Sequence, residues 1–235
     1  MKYKHLFFDL DGTLWDLYQN TRDAFVILSA ARENMHFSED EFEIFFKRYF
    51  HHNEIVWKLY RENKIEKELL RTIRFRRTFD DVGLNVDDDF ILRFADDFIE
   101  TCPKQPHLIE GTLDLLQTMH GKIPMHIITN GFKEVQSVKL AAGGIGHFFE
   151  NIVNSEDCGI RKPFAGIFDF AMEISGARPE ESLMIGDDWE ADILGARDYG
   201  MDTAWLKTHE SRHNYKPHYT VSSMTEMKDI LLALQ

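Results

Sequence analysis

The chain has few of the residues that define several large classes of protein. It has two cysteines, Cys102 and Cys158, and their spacing fits neither a disulfide framework nor a zinc ribbon. Basic residues are also in short supply, because 27 Lys and Arg stand against 40 Asp and Glu, a net charge of −13. Such a charge repels phosphodiester backbones and anionic lipids, so we expect no nucleic-acid polymer and no membrane as a partner.

Long apolar runs are missing as well. No window reaches the roughly 18 apolar residues of a membrane span, and the apolar run at residues 6–8 is ended by Asp9, too early for a secretory signal. We therefore expect a cytoplasmic protein. What the 235 residues do have is 43% hydrophobic and 29% charged side chains, a balance typical of a chain that buries a full core.

Hydrophobic patterning predicts an α/β fold. Residues 4–10 form a predicted buried strand. Further predicted strands alternate with helical segments, and they lie at residues 124–129, 151–154, 183–186 and 203–206. Alternation of this kind is typical of a parallel sheet covered by helices on both faces. A closing helix is predicted over residues 224–234.

A long helical insertion interrupts this pattern after the first predicted strand. Its apolar residues recur at the helical period, and Pro103 and Pro106 mark the return to the α/β pattern. We predict a core domain formed by residues 1–14 and 104–235, with a helical domain at 15–103. The inserted residues are rich in aromatic side chains, which suits the stacking of a nucleobase but is more typical of an ordinary helical core.

Aspartates follow two of the predicted strands. Asp9 and Asp11 come at the end of the first strand, and Asp187 follows the strand at residues 183–186. Because the carboxyl ends of parallel strands meet at one edge of a sheet, we expect these acids to converge there. Converging carboxylates repel one another unless a cation lies between them. Mg²⁺ fits this role, since it binds through carboxylates, water and substrate phosphate oxygens.

Two further segments suit a phosphate group. Thr129, Asn130 and Gly131 end another predicted strand, and their hydroxyl, amide and turn N–H groups are donors for phosphate oxygens. Lys162 lies in a loop after a glycine turn, where it is a candidate counter-charge for a phosphoryl group. Each segment alone is an ordinary turn or a solvated loop, and only the combination indicates a site.

Taken in order, residues 9–13, 129–130, 162–163 and 186–192 resemble the four motifs of the haloacid dehalogenase (HAD) superfamily of phosphohydrolases. The resemblance covers the whole chain. It implies a Rossmann-like parallel-sheet core and an α-helical cap inserted between the first and second motifs. Stretches outside the motifs resemble the pyrimidine 5′-nucleotidase branch, and they lie at residues 127–132, 155–159, 167–171 and 192–195.

The resemblance also implies roles for the acids. Asp9 would be the nucleophile that accepts the phosphoryl group, and Asp11 would protonate the leaving oxygen and then activate water. Mg²⁺ would be held by the carboxylates of Asp9 and Asp187 and by the backbone carbonyl of Asp11. True dehalogenases lack an acid two residues after the nucleophile, so Asp11 disfavours dehalogenation.

The remaining motif residues would support this chemistry. Thr129, Asn130, Gly131 and Lys162 would bind the phosphoryl group, and Thr129 and Lys162 would also act in catalysis. Asp188 and Asp192 would orient the metal ligands.

We therefore expect a Mg²⁺-dependent phosphatase that acts on a small phosphorylated metabolite, a nucleoside 5′-monophosphate, as a monomer or homodimer. A sugar-phosphate or phosphoglycolate phosphatase and a phosphomutase are alternatives on the same scaffold. A regulatory binding module without turnover is an alternative from another class, although the complete set of motif residues argues against it.

One further motif predicts a different chemistry. Residues 209–213 spell His-Glu-x-x-His, the zinc-protease signature, in which both histidines must lie on one helix. Here the segment follows a predicted strand and precedes Pro217, and it has no apolar period. A zinc protease is therefore not expected.

Overall fold

The computed structural model describes residues 2–207 and 213–234. Contacts between Cα atoms divide the chain into two compact units. The first consists of Met1–Tyr18 and Pro106–Gln235, and the second of Gln19–Gln105. The sequence had placed these limits after residue 14 and after residue 103.

The first unit contains a six-stranded parallel sheet with the strand order β3-β2-β1-β4-β5-β6. The strands are His5–Phe8 (β1), Met125–Thr129 (β2), Asn151–Asn154 (β3), Ser182–Gly186 (β4), Asp202–Leu206 (β5) and Tyr219–Val221 (β6). The predicted α/β class with a parallel sheet is confirmed. Strand β6 was not predicted, because three residues are too few for a period of two to show.

The described residues form ten α-helices. They are Leu17–Ala30 (α1), Glu39–Arg61 (α2), Lys67–Asp81 (α3), Asp88–Thr101 (α4), Thr112–Met119 (α5), Lys133–Ala142 (α6), Ser155–Cys158 (α7), Ala165–Ser175 (α8), Gly195–Tyr199 (α9) and Met224–Ala233 (α10). A π-helical turn, Trp189–Leu194, leads into α9. None of the described helices is both long enough and apolar enough to cross a membrane.

Packing of the sheet against its helices explains why the apolar runs become strands. Every residue of β2 and β4 is buried, as expected for central strands covered on both faces. Phe7 and Met184 from the sheet form one apolar cluster with Phe168 of α8. This buried layer fixes the strands in register, with Phe8 opposite Ile127 and Ile185.

The second unit is helical and has its own aromatic core. Ser38 and Glu41 form a capping box at the start of α2, which explains why that helix begins there. Phe25, Phe75 and Phe94 are fully buried, and the Phe75 and Phe94 rings meet edge-on with centroids 5.2 Å apart. The aromatic residues of the insertion thus form a core, the ordinary interpretation of their helical spacing.

Candidate active site

The buried side chain of Lys162 bridges two acids, the predicted nucleophile Asp9 and Asp192. The Nζ of Lys162 donates to Asp9 Oδ1, to Asp192 Oδ1 and to the backbone carbonyl of Ile128, each at 2.6 Å. An ammonium group has three donors, so the protein itself satisfies all of them. Lys162 is only 1% exposed. The predicted contact of Lys162 with a phosphoryl group would therefore require one of these hydrogen bonds to be shared or exchanged.

Three acids meet beside this lysine at the carboxyl ends of β1 and β4. One carboxylate oxygen from each of Asp9, Asp187 and Asp192 lies within 4.8 Å of the other two. Burial raises the pKa of Asp9, and the attraction of Lys162 only partly opposes this effect. Burial together with repulsion by Asp9 and Asp192 raises the pKa of Asp187 well above its usual value. Burial likewise raises the pKa of Asp192 to about 7, even though Lys162 lowers it.

The acid cluster fits a divalent cation. When its three carboxylates are ionised they carry three negative charges, and Lys162 compensates one. Burial alone would lower the pKa of Lys162, but attraction by Asp192 and Asp9 outweighs burial and raises it, so this one positive charge is secure. Hard carboxylate oxygens are the ligands that Mg²⁺ prefers. The predicted metal set included Asp11 through its backbone carbonyl, whereas the third carboxylate in the cluster is that of Asp192.

Thr13 holds Asp187 in place by two hydrogen bonds. Its hydroxyl donates to Asp187 Oδ1 at 2.7 Å and accepts from the backbone N–H of Asp187 at 3.0 Å. Gly12, with φ +89°, makes room for this carboxylate, since a Cβ there would lie 2.6 Å from Asp187 Oδ2. The turn after β1 therefore positions an acid that follows β4.

Asp188 and Asp192, the acids that follow Asp187, are held in place at the start of the π-helical turn. The Asp188 carboxylate accepts hydrogen bonds from the backbone N–H groups of Glu190 and Ala191, so it caps the π-helical turn. The Asp188 N–H in turn donates to Asp192 Oδ2 at 3.1 Å. A side chain at Gly186 would collide with the Asp192 carboxylate. Asp192, predicted only to orient the ligands, is itself a member of the acid cluster.

The segment after β2, residues 129–131, holds the loop that carries Lys162 in place. The side chain of Asn130 accepts from the Lys162 backbone N–H at 2.8 Å and donates to the Lys162 carbonyl at 2.9 Å. Thr129 Oγ1 accepts from the Gly131 N–H at 3.0 Å, and Asn154 donates to the Gly131 carbonyl. The Asn130 amide, predicted to bind phosphate, thus holds Lys162 in position.

Asp11 has a partner that sequence reasoning missed. The Nζ of Lys139, on α6, lies 2.6 Å from Asp11 Oδ1. The buried face of α6 carries Gln136 and Lys139 between apolar residues, and two polar residues on a buried face were the available signal. Asp11 therefore lies beside the acid cluster but is paired separately.

The zinc-protease motif falls mostly outside the described residues. His209, Glu210, Ser211 and Arg212 are not described, so that prediction stays untested. The last motif residue, His213, stacks on the ring of Trp189 with centroids 3.7 Å apart and planes 9° apart.

Comparison with known proteins gives a consistent picture. A family model described as haloacid dehalogenase-like hydrolase matches residues 3–200. The chain is 34% identical to pyrimidine 5′-nucleotidase YjjG of Escherichia coli (strain K12), covering 98% of this chain and 99% of the relative. It is 30% identical to pyrimidine 5′-nucleotidase PynA of Streptococcus pneumoniae (strain ATCC BAA-255 / R6), covering 98% and 96%. The crystal structure of the HAD-hydrolase YfnB of Bacillus subtilis, bound to magnesium, superposes with a TM-score of 0.86 at 27% identity, covering 99% and 100%.

Proposed function

The chain belongs to the haloacid dehalogenase-like hydrolases, as its four motifs predict, and from this premise we propose that it is a Mg²⁺-dependent phosphatase of nucleoside 5′-monophosphates. The observation that carries the proposal is the setting of Asp9. Lys162 binds its Oδ1, and no described residue donates a hydrogen bond to Oδ2, which leaves that oxygen available to a ligand. A carboxylate held on one side and open on the other is suited to nucleophilic attack.

The acids around Asp9 would hold the metal. The carboxylates of Asp9 and Asp187 are the proposed ligands, with the backbone carbonyl of Asp11, and Asp192 is tied to Lys162 beside them. The unbalanced negative charge of the cluster supports this assignment. Bound Mg²⁺ would supply positive charge against the phosphate oxygens and make the attack of one anion on another feasible.

The proposed reaction has two displacements at phosphorus. In the first, an Asp9 carboxylate oxygen forms a bond to phosphorus while the bond to the ester oxygen breaks, and Asp11 gives its proton to the departing alcohol. In the second, Asp11 takes a proton from water, the water oxygen bonds to phosphorus, and the bond to Asp9 breaks. The products are the alcohol and inorganic phosphate, and Asp9 and Asp11 are regenerated.

Lys162 supports both displacements by its position. It contacts Asp9 and Asp192 at once, so it favours the ionised form of Asp9 and holds the carboxylate in position. Asn130 holds the backbone of Lys162 on both sides, which limits its movement when charge shifts at Asp9.

The choice of a nucleotide rests on the relatives. Two curated proteins that match nearly the full chain are named pyrimidine 5′-nucleotidases. The aromatic residues of the helical unit add no support, because most of those described, among them Phe25, Phe75 and Phe94, are buried as its core. The nucleotide is therefore proposed from similarity, and the phosphatase chemistry from the site.

A substrate panel with one variant tests the proposal. We expect kcat/KM for pyrimidine nucleoside 5′-monophosphates to exceed that for sugar phosphates and phosphoglycolate, with activity lost in EDTA and restored by Mg²⁺. Asp9→Asn should abolish turnover of every substrate, whereas the matched control Asp202→Asn, which alters an aspartate at the opposite end of the sheet, should keep it.

Each alternative has its own outcome in this experiment. Equal or faster turnover of sugar phosphates or phosphoglycolate would overturn the nucleotidase assignment and leave the phosphatase intact. An isomeric phosphate ester without free phosphate would indicate a phosphomutase. A folded wild type that binds nucleotides without hydrolysing any ester would favour the regulatory module.

A further inference from the structure

A partly buried ion pair fixes the side chain of Asp11. Lys139 Nζ lies 2.6 Å from Asp11 Oδ1, and the two side chains are 9% and 20% exposed. The same ammonium lies 4.7 Å from the centroid of the Trp15 ring, which is fully buried. Lys139 is thus held between a carboxylate and an aromatic face, an arrangement that leaves it little freedom.

The backbone around Asp11 is already fixed by hydrogen bonds. The N–H of Gly12 donates to the carbonyl of Trp15, and the N–H of Trp15 donates to the carbonyl of Leu10, both at 2.9 Å. The remaining freedom at Asp11 is therefore that of its side chain. Among the described residues, Lys139 is the one hydrogen-bond donor to that carboxylate.

The other carboxylate oxygen of Asp11, Oδ2, lies close to Gly131. A Cβ at Gly131 would be 2.9 Å from Asp11 Oδ2, so any side chain there would displace the carboxylate. The two oxygens of Asp11 therefore differ. Oδ1 accepts from a lysine, whereas Oδ2 has no protein donor among the described residues.

We propose that Lys139 is a positioning residue for Asp11, an inference that rests on the proposed phosphatase function. By occupying Oδ1, Lys139 makes Oδ2 the oxygen that exchanges the proton. In the first displacement the Oδ2–H bond breaks and its proton goes to the departing ester oxygen as the bond from that oxygen to phosphorus breaks. In the second, Oδ2 takes a proton from the attacking water. Lys139 keeps its own protons throughout.

Stability alone does not account for a lysine at this position. A methionine on the buried face of α6 would also pack against Trp15, and replacing a desolvated ion pair with apolar side chains is often neutral or stabilising. The charge at Lys139 is better explained by what it does to Asp11.

The test compares two esters that differ in their need for a proton. A nucleoside 5′-monophosphate releases a strongly basic alkoxide, which requires the proton from Asp11, whereas p-nitrophenyl phosphate releases a weakly basic phenolate that departs without one. In Lys139→Met we expect kcat/KM for the nucleotide to fall about 10- to 100-fold. For p-nitrophenyl phosphate, kcat/KM should stay within about 3-fold, since it reports on the first displacement only.

The second displacement provides an independent readout. Asp11 also activates the water, so Lys139→Met should slow release of phosphate from Asp9 with either ester. Rapid mixing with p-nitrophenyl phosphate should then show a burst of p-nitrophenolate equal to the enzyme concentration. A residue that only stabilised α6 would produce no such burst.

Three variants serve as controls. Lys139→Arg keeps the charge and should recover part of the nucleotide activity. Lys228→Met removes another ion-paired lysine of the same unit, the partner of Asp114, and should change neither ester. In an Asp11→Asn background, Lys139→Met should have little further effect on kcat/KM, because two residues that act as a unit are not additive.

The outcomes separate this inference from the proposed function. If Lys139→Met lowers kcat/KM for both esters equally, or adds its full effect to Asp11→Asn, Lys139 is not a positioning residue. If wild type hydrolyses neither ester, or if Asp9→Asn leaves turnover unchanged, the proposed function itself fails.

Discussion

Replacing Thr13 with valine removes one hydroxyl from beside the acid cluster while keeping the shape of the side chain. Thr13 is fully buried, so no water takes the place of that hydroxyl without rearrangement. Its two hydrogen bonds both go to Asp187, one to the carboxylate and one from the backbone N–H. The substitution therefore tests how a turn after β1 controls an acid after β4.

The expected loss of stability follows from these two contacts. Burial favours the neutral form of Asp187 when no metal is bound, so the hydrogen bond to its side chain contributes about 0.5 to 1.5 kcal/mol, and an N–H group left buried without a partner costs about 1 to 3 kcal/mol. We expect Thr13→Val to lower the free energy of unfolding by about 3 kcal/mol. The Thr13 hydroxyl also lowers the pKa of Asp187 against the raising effect of burial, so its loss should raise that pKa further and weaken metal binding about 10- to 100-fold.

Two measurements check this reasoning. Urea unfolding in EDTA gives the free energy of unfolding without metal, and a Mg²⁺ titration of phosphatase activity gives the apparent metal affinity. Thr13→Ser keeps the hydroxyl and should stay near wild type in both. A Thr13→Val protein within about 0.5 kcal/mol of wild type, with unchanged Mg²⁺ affinity, would show that the hydroxyl does not hold Asp187.

Two further predictions concern a buried histidine and a partly buried amide. Burial, together with the charge of His5, lowers the pKa of His126 to about 4. Below about pH 6.5 the unfolded chain therefore binds a proton at His126, whereas the folded chain does not bind it until the pH approaches 4. Stability should be complete above pH 6.5 and fall by about 3 kcal/mol by pH 4, and the pH dependence of urea unfolding should flatten in His126→Gln. Asn130→Ala removes both hydrogen bonds to the Lys162 backbone, so unfolding free energy should fall by about 2 kcal/mol and turnover about 10-fold. Calorimetry and p-nitrophenyl phosphate assays test this, with Asn130→Asp as a control that keeps one acceptor, and unchanged turnover in Asn130→Ala would contradict it.

The sequence was informative wherever topology decides position. Asp9 and Asp187 lie far apart along the chain, yet each directly follows an apolar run that forms a strand. In a parallel sheet such strands end at the same edge, and β1 and β4 are neighbours. Convergence of the two acids therefore needed no knowledge of side-chain contacts.

The partners of these residues could not be predicted in the same way. The contact between Asn130 and the Lys162 backbone depends on how two loops approach each other in the folded chain. The contact between Lys139 and Asp11 depends on which face α6 turns towards the sheet. Neither the relative position of two loops nor the rotation of a helix can be predicted from the spacing of residues along the chain. The short strand β6 escaped prediction for a different reason, since it is recognisable only from its pairing with β5.

The two buried lysines would let the proposed site bind both a cation and an anion. Of the lysines that the structure describes, only Lys139 and Lys162 are buried, and each contacts an acid at the carboxyl edge of the sheet. Four carboxylates and two ammonium groups leave two negative charges when all are ionised, which a divalent cation would balance. In that ionised state the acids repel a phosphate dianion, and a bound divalent cation would offset the repulsion. Cation and phosphate should therefore bind cooperatively, each raising the affinity of the site for the other by the same factor.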